Sequence, residues 1–453
     1  MSIIAPIGII IGIIAIIYFS VKEIHITIAA PIATLIVVIL NKMDVVTSML
    51  GADKNNYMGA LGNYIMSYFA IFLLGSILAK FMEESGATVS IADFILNKFG
   101  SNHPYRVLVA IFIVSFILTY GGISLFVVMF AVIPLARTLF KKLDISWNLI
   151  QIPLWLGIAT ITMTIIPGTP AIQNVIPIQY LNTSLTAATI PSIVGSIGCA
   201  TFGLVYMKYA LNKSIRKGET YATYTSELEE ESLDRELPGF FASIFPLLAL
   251  VIIAITGSTF GSEFMKKNVI YIALIVAILL SAFLFHKFLS SKIQTLSIGA
   301  SGSIGPIFAT SSAVAFGAVI MAAPGFDVFS KLIMSIPGSP LISLTVLTST
   351  MSAITGSSSG ALGIVMPNFA DYYLSTGLNP ELIHRVATIA SNILTIVPQS
   401  GVFLTFLSLS KLTHKTGFKE TFIVVAVGSL IAEIIVITLG LLTVSYTHLT
   451  LPT

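Results

Sequence analysis

The sequence predicts an all-α polytopic membrane protein made of two repeats with inverted topology. Of its 453 residues, 56% are hydrophobic and only 9% are charged, whereas a soluble domain carries roughly 25% charged residues. Many apolar segments approach the roughly 20 residues that a helix needs to cross a bilayer. Interrupted apolar segments also recur in the same order in both halves of the chain.

The same composition excludes several classes of function. The net charge of +3 gives no basis for binding nucleic acid. The single cysteine, Cys199, and six scattered histidines provide neither a disulfide framework nor a metal cluster. No nucleotide-binding loop or catalytic motif is present, so we expect neither an enzyme nor a cofactor. The first apolar run lacks a basic start and a cleavage site, which predicts a retained span rather than a signal peptide.

The apolar segments are either continuous or interrupted. The continuous runs are 3–21, 24–40, 60–82, 146–182, 185–208, 240–256, 268–288, 293–322, 381–410 and 421–443. Two further stretches, 104–142 and 340–372, are broken near the middle by small polar residues, so each forms two spans or one re-entrant hairpin. With hairpins, each repeat has about five spanning helices, one of them broken at a proline.

The basic residues favour the hairpin interpretation. With two hairpins, 17 Lys and Arg residues fall on one side of the membrane and 6 fall on the other, Arg385 among the 6. Positive residues concentrate in cytoplasmic loops, so the central loop is predicted in the cytoplasm and both termini outside. Because five crossings is an odd number, the second repeat is inverted relative to the first.

These observations set the predicted domain boundaries. Residues 1–208 form the first inverted repeat, 209–238 a cytoplasmic linker, and 239–444 the second inverted repeat. Residues 445–453 resemble a translated adapter sequence, and we expect this tail to be non-native. Four landmarks align between the repeats: 82–86 with 321–325, 119–124 with 355–360, Pro134 with Pro367, and 165–169 with 396–400. An amphipathic stretch follows the first landmark in each repeat, at 88–99 and 326–336.

Four breaks are expected to meet near the middle of the membrane, where they predict a binding site. Inside lipid, irregular backbone is tolerated only around a cavity, and paired broken helices in inverted repeats are typical of secondary transporters. Half-helix N-termini carry partial positive charge and free N–H groups, which suit a carboxylate. The predicted substrate-binding residues are Tyr120, Gly121, Gly122, Ser124, Gly168, Thr169, Gln173, Asn174, Gly356, Ser357, Ser358, Ser359, Gln399 and Ser400. No arginine lies at these breaks in the sequence.

Each feature has a structural alternative. The serines 357–359 are also typical of a helix-packing face, and Gln173 and Asn174 could cap a half-helix. The acidic pair 83–84 follows a span, which favours an interfacial cap over a proton site. Glu433 lies inside the last span, where an ionisable residue suggests a function, although this span is outside the group of breaks.

At these residues the chain resembles the gluconate permease family of the ion transporter superfamily, especially its hydroxybutyrate and short-chain-acid members. The similarity covers about residues 5 to 440 and is carried by the segments 166–174, 356–364, 377–391 and 412–415. The resemblance implies uptake of a small organic acid anion, usually with H⁺, by an elevator-like homodimer in the bacterial inner membrane. It also implies that the hairpin tips and span breaks line the substrate site.

One departure from the family's sequence pattern concerns the coupling of substrate uptake to an ion. Related members often have Asp-Thr-Leu-Pro-His-Asn-Gly at the last break, where this chain has Thr-Ile-Val-Pro-Gln-Ser-Gly at 395–401. Because both titratable residues are absent, protonation of the substrate itself and Na⁺ held by free carbonyls are open alternatives. The competing function is an ion channel or a cation/proton antiporter of the same superfamily. An antiporter favours acidic residues at the breaks, and the sequence has none there.

Overall fold

The computed structural model describes residues 4–449 except 23, 100–102, 121–124, 170, 226–235, 327, 329–330 and 332–335. Every regular element in these described ranges is a helix. The predicted tail, 445–453, is described only to residue 449. Most of the second amphipathic stretch, 326–336, also lies outside the described residues.

The first half of the chain contains eleven described α-helical elements, and the second half contains ten. Those of the first half are α1 (Ile4–Val21), α2 (Ile26–Leu40), α3 (Val45–Leu50), α4 (Tyr57–Glu84), α5 (Ala87–Phe99), α6 (Pro104–Tyr120), α7 (Leu125–Leu143), α8 (Trp147–Ile165), α9 (Ile172–Val175), α10 (Ile178–Leu181) and α11 (Thr189–Arg216). Those of the second half are α12 (Phe240–Phe260), α13 (Glu263–Leu284), α14 (Lys292–Ser301), α15 (Ile304–Ala322), α16 (Pro340–Thr355), α17 (Ser358–Ser375), α18 (Pro380–Ile393), α19 (Gly401–Ser410), α20 (His414–Phe422) and α21 (Gly428–Leu449).

The interrupted stretches form two helix pairs, α6–α7 and α16–α17. Their first arms have 17 and 16 residues, which at 1.5 Å per residue span about 25 Å, less than the roughly 30 Å hydrocarbon core. Pro134 and Pro367, aligned in the sequence, lie inside the second arms α7 and α17. The two pairs match the predicted hairpins in extent, and their re-entrant path stays a prediction.

The two broken spans differ in form. In the second repeat, α18 and α19 flank residues 394–400. In the first repeat, α8 is followed only by the four-residue helices α9 and α10. Pro167, Pro170 and Pro177 fall in this region, and each removes a backbone donor that a continuous helix needs. We expected the second half of this broken span to be a helix that completes the membrane crossing, but it consists of the two short helices α9 and α10.

α8 changes its helical form along its length. It begins with a 3₁₀ turn at Trp147–Ile150 and ends in a π-helical segment, Gly157–Ile165. The Thr119 hydroxyl of α6 lies 3.0 Å from the Gly157 carbonyl oxygen and 2.8 Å from the Thr162 hydroxyl. These contacts stabilise the wide turn.

Helices from the two halves of the chain pack against each other. α4 packs against α15, α2 packs against α15, and α13 packs against α4. The last helices of the repeats, α11 and α21, also pack together. Large apolar side chains on the outer helices are exposed, as lipid-facing residues are, for example Ile14, Ile197, Val205, Leu279 and Phe283. The inverted orientation of the halves stays a prediction.

Candidate functional site

Residues from the breaks line one cavity of about 360 Å³. The first break contributes Ala171, Ile172 and Gln173; the second hairpin contributes 356–359. The second break contributes Thr395, Ile396 and Gly401, and Thr119 and Leu125 flank the first hairpin tip. The structure therefore brings interrupted segments from both halves of the chain to one place. None of the described residues that line this cavity has a charged side chain.

The tip of the second hairpin packs directly on the second break. Gly356 has φ +60°, and a Cβ atom added there would lie 3.0 Å from the Ser400 Cα atom. The Ser400 hydroxyl donates to the Gly356 carbonyl at 2.9 Å. Glycine is needed here because the left-handed conformation and the close backbone approach both disfavour a side chain.

Two helix N-termini face the cavity. Ser357 caps α17 by accepting a hydrogen bond from the Gly360 N–H at 3.2 Å, and Ser358 and Ser359 line the cavity. α19 begins at Gly401, which also lines the cavity together with Val402. The first N–H groups of a helix have no intrahelical acceptor and carry partial positive charge. The cavity therefore lies beside the positively polarised N-terminal ends of two helices.

Gln173 connects the first break to the second hairpin. Its side-chain nitrogen donates to the Ser358 hydroxyl at 3.0 Å. Its Oε1 atom is buried and has no hydrogen-bond partner among the described residues. Of the fourteen predicted residues, Gln173, Gly356, Ser357, Ser358 and Ser359 thus line the cavity.

Four other predicted residues support the breaks without lining the cavity. The Asn174 amide donates to the carbonyls of Thr169 and Leu185, each at 2.9 Å. The Gln399 amide donates to the Ala353 carbonyl at 3.3 Å, and Ser400 holds Gly356 as described. Thr169, Asn174, Gln399 and Ser400 are all buried. Their side chains form hydrogen bonds with backbone groups and so fix the backbone of the breaks.

The first hairpin tip is described only at its edges. Tyr120 ends α6 with its ring stacked on Phe116, and a Cβ atom added at Gly168 would lie 3.6 Å from the Tyr120 hydroxyl. Gly168 has φ +85°, and its N–H donates to the Leu185 carbonyl at 3.0 Å. Gly121, Gly122 and Ser124 lie outside the described residues.

Several polar cavity residues come from regular helix and escaped the sequence prediction. Trp155 and Asn392 line the cavity from α8 and α18, and Thr310 lines it from α15. The indole Nε1 of Trp155 is buried with no acceptor in the described part of the chain. Trp155 lies inside an apolar run of the sequence, and a buried Trp normally pairs its N–H with an acceptor. This polar group in an apolar run was the feature by which the residue could have been identified.

Arg385 corrects two sequence-based expectations. It was assigned to an outer loop, and no arginine was expected at a break, but its side chain is fully buried in α18. Its guanidinium donates to the carbonyl oxygens of Thr164 at 3.1 Å, Ala187 at 3.1 and 3.3 Å, and Leu185 at 3.4 Å. The residue is remote from the break in sequence but stabilises the carbonyls around it.

Two histidines also reach the breaks from other segments. The His384 ring lies between Thr183 and Asn174, with contacts of 2.7 and 3.1 Å. His414, at the start of α20, lies 2.9 Å from the Pro398 carbonyl oxygen. The sequence showed no titratable residue at the last break itself; the fold places the imidazole of His414, at the start of α20, against it.

A wider vestibule of about 970 Å³ adjoins the cavity. Both spaces are lined by Tyr64, Tyr68, Ile172, Val314, Ser357 and Ser359. Its only charged lining residues in the described ranges are Lys54 and Lys331. The path to the neutral cavity is therefore positively charged.

The family model described as "GntP family permease" matches residues 3–443. The "Uncharacterized transporter YxjC" of Bacillus subtilis (strain 168) is 30% identical over 429 residues, covering 87% of this chain and 90% of that protein. A "Gluconate permease" of Zymomonas mobilis is 25% identical over 432 residues, covering 91% and 92%. The crystal structure of the Alcanivorax borkumensis YdaH transporter aligns with a TM-score of 0.45 and 15% identity, covering 93% of this chain and 99% of that one.

The family model and the Bacillus subtilis relative confirm the family resemblance found in the sequence. The family model extends over nearly all of the chain, including the hairpins and breaks that line the cavity. Within the residues that the structure describes, five helical segments are also long and apolar enough to cross a membrane. The chain therefore belongs to the GntP permease family and is a multi-pass membrane transporter, not an enzyme.

Proposed function

We propose that the protein imports a small organic carboxylate by secondary active transport and binds it in the 360 Å³ cavity. The observation that carries this proposal is the convergence of two helix N-termini and neutral hydroxyl and amide groups on a cavity whose described lining residues carry no charge. Such donors stabilise a carboxylate. Neutral donors also bind an anion less tightly than a paired cation would, which allows its release.

The charge distribution favours an anion over a cation. Lys54 and Lys331 line the vestibule, and no Asp or Glu is among the described lining residues of the vestibule or the cavity. A positive approach raises the local concentration of anions. A channel or antiporter for cations would need carboxylates or several free carbonyls there, so the competing function lacks support at this site.

The substrate class follows from the size and polarity of the cavity. About 360 Å³ is near the lower end of the roughly 300–1,000 Å³ range of small-molecule sites. Hydroxyl and amide groups of Ser357, Ser358, Gln173 and Asn392 suit a hydroxylated acid, and apolar residues such as Ile396 suit its carbon chain. Gluconate, 3-hydroxybutyrate and short-chain fatty acids are the candidates, and a relative's name, "Gluconate permease", supports the first.

Elevator-type alternating access is part of the proposal. The vestibule contacts the N-terminal half of α4. A smaller space of about 350 Å³ lies along its C-terminal half, bordered by Ser76, Met129, Gly299 and Leu409. These spaces lie at opposite ends of α4, as two alternating pathways would. We further propose H⁺ coupling, a homodimer and the bacterial inner membrane as location.

Uptake into proteoliposomes tests the function. The purified protein is expected to accumulate labelled gluconate, 3-hydroxybutyrate or butyrate when the outside is acidic, and a Na⁺ gradient in place of the pH gradient tests the other coupling ion. Protein-free liposomes provide the background. Absence of uptake of all three acids under both gradients would refute the proposal.

A serine variant tests the site. Ser358→Ala removes the hydroxyl that lines the cavity and accepts from Gln173. Loss of one net hydrogen bond, about 1 kcal/mol, predicts a roughly fivefold higher KM. Ser375→Ala, at the exposed opposite end of α17, is the matched control and should keep the wild-type KM. Equal KM values for the two variants would exclude Ser358 from the site.

A further inference from the structure

Glu433 is a buried carboxyl group that the substrate cavity does not include. It lies on α21 with 1% of its surface exposed. Its Oε1 atom lies 2.6 Å from the Thr345 hydroxyl of α16. Its Oε2 atom has no hydrogen-bond partner in the described part of the chain. An ionised carboxylate is costly in such surroundings unless it is paired, and an ionisable residue inside a membrane suggests a function.

The Thr345 hydroxyl has only one hydrogen to donate, yet it contacts two acceptors. It lies 2.9 Å from the Leu341 carbonyl oxygen, one turn earlier in α16, and 2.6 Å from Glu433. If Thr345 donates to Leu341, a protonated Glu433 must donate to the hydroxyl. If Glu433 is ionised, Thr345 must turn its hydrogen to the carboxylate. The protonation state of Glu433 therefore decides whether the Thr345 hydroxyl donates its hydrogen to Leu341 of its own helix or to Glu433 of α21.

The described charged and titratable groups on the neighbouring helices are directed elsewhere. On α18, Arg385 binds the carbonyls near the first break, His384 contacts Asn174, and Glu381 accepts from the Ala188 N–H. α8 and α16 have no charged residue.

α11 offers no nearby countercharge either. Its Cys199 lies against Gly428, and its Gly195 packs against Ala432, next to Glu433. Lys208, the first charged residue of α11, is thirteen positions beyond Gly195, or about 20 Å along the helix at 1.5 Å per residue. Lys213 and Arg216 lie farther along, and Tyr206 and Tyr209 lie close to Lys208. Glu433 therefore has no described ionic partner.

Glu433 is nevertheless connected to the cavity by two routes. Thr345 belongs to the hairpin whose tip, 356–359, lines the cavity. Asn392 also lines the cavity and donates to the Ser429 hydroxyl at 3.0 Å. Ser429 lies four residues before Glu433, so both share one face of α21 at a spacing of about 6 Å.

We propose that Glu433 binds the proton that is transported with the acid, a proposal that rests on the transport function above. On the side of uptake, the carboxylate gains one H⁺ and becomes a carboxylic acid that bonds the Thr345 hydroxyl. On the side of release, the O–H bond breaks, H⁺ leaves to water, and the carboxylate accepts the hydrogen of Thr345. This change alters the contact between α21 and the second hairpin in each cycle.

Two transport modes distinguish a proton site from a substrate site. Glu433→Gln keeps the shape and polarity but cannot release a proton. Driven uptake accumulates the acid against its gradient, whereas counterflow exchanges labelled for unlabelled acid without net proton transfer. The probe is whichever of gluconate, 3-hydroxybutyrate or butyrate the wild type accumulates. A pH gradient of about one unit gives roughly tenfold accumulation for one proton per acid.

The variant is expected to lose this accumulation, with a ratio of about one, and to keep counterflow within about twofold of wild type. Glu236→Gln, an exposed acid in the predicted linker before α12, is the matched control and should behave as wild type. Accumulation by Glu433→Gln equal to wild type would overturn the proposal. Loss of counterflow in a variant that elutes as folded protein would also overturn it, because Glu433 would then serve binding or movement.

Two further variants cover the case in which Glu433→Gln does not fold. Glu433→Asp keeps a carboxyl and is expected to accumulate the acid with an altered pH dependence; a wild-type pH profile would count against the proposal. Thr345→Val removes the hydroxyl and should change that profile, whereas Thr345→Ser should restore it. If the wild type itself transports none of the acids, the transport function fails and not the assignment of Glu433.

Discussion

Gly356→Ala tests whether the second hairpin tip packs on the second break. The added methyl group would lie 3.0 Å from the Ser400 Cα atom, in a backbone conformation with φ +60°. The left-handed conformation costs an alanine roughly 1–2 kcal/mol, and overpacking against backbone costs about 1–3 kcal/mol more. The variant should therefore lose about 2–5 kcal/mol or displace the tip from Ser400, which would also weaken the 2.9 Å hydrogen bond between them.

The matched control is Gly363→Ala in the same hairpin, where an added Cβ meets no atom within 4 Å. Alanine is the better residue inside a helix by about 1 kcal/mol, so this control should be as stable as wild type or slightly more stable. The assays are the thermal unfolding midpoint in detergent and initial uptake in proteoliposomes. We expect at least tenfold slower uptake and a lower midpoint for Gly356→Ala alone. Wild-type values for both measurements would refute the packing of tip against break.

Two other substitutions test residues that the sequence did not identify. Trp155→Phe removes a buried N–H with no described protein acceptor; if that N–H binds the substrate, KM should rise about five- to tenfold with little loss of stability, and an unchanged KM would exclude the contact. Arg385→Lys replaces a planar group that reaches three carbonyls with a single nitrogen; unfolding free energy should fall by about 2–4 kcal/mol, and an unchanged unfolding midpoint would contradict the buried network.

Sequence patterns predicted the helical membrane class and the extents of both hairpins well, because apolar length and its interruption are direct consequences of the bilayer. They predicted less of the first broken span. The three prolines around 166–177 were visible, but the pattern did not show that the second half-helix would shrink to α9 and α10. The π-helical segment of α8 was also missed, because it depends on Thr119 of another helix.

The candidate site was predicted best where glycine and serine interrupt an apolar run. Gln173 and the tip 356–359 belong to such interruptions, and they line the cavity. Trp155, Asn392 and Arg385 were missed because they lie within regular helix, where only tertiary packing decides whether a side chain meets a break. Arg385 was misassigned because a charge near the start of a segment was taken to be at the membrane surface.

If α18 moves across the membrane during transport, the buried guanidinium of Arg385 would make that movement sensitive to voltage. Its guanidinium is held by carbonyl oxygens rather than by a carboxylate, so α18 carries a fixed positive charge inside the membrane. An elementary charge that crosses a potential of 100 mV changes energy by about 2.3 kcal/mol. If α18 travels one third of the membrane thickness between its two positions, the resting potential shifts their balance by about 0.8 kcal/mol per 100 mV. The electrical state of the cell would then bias the empty transporter before any acid binds.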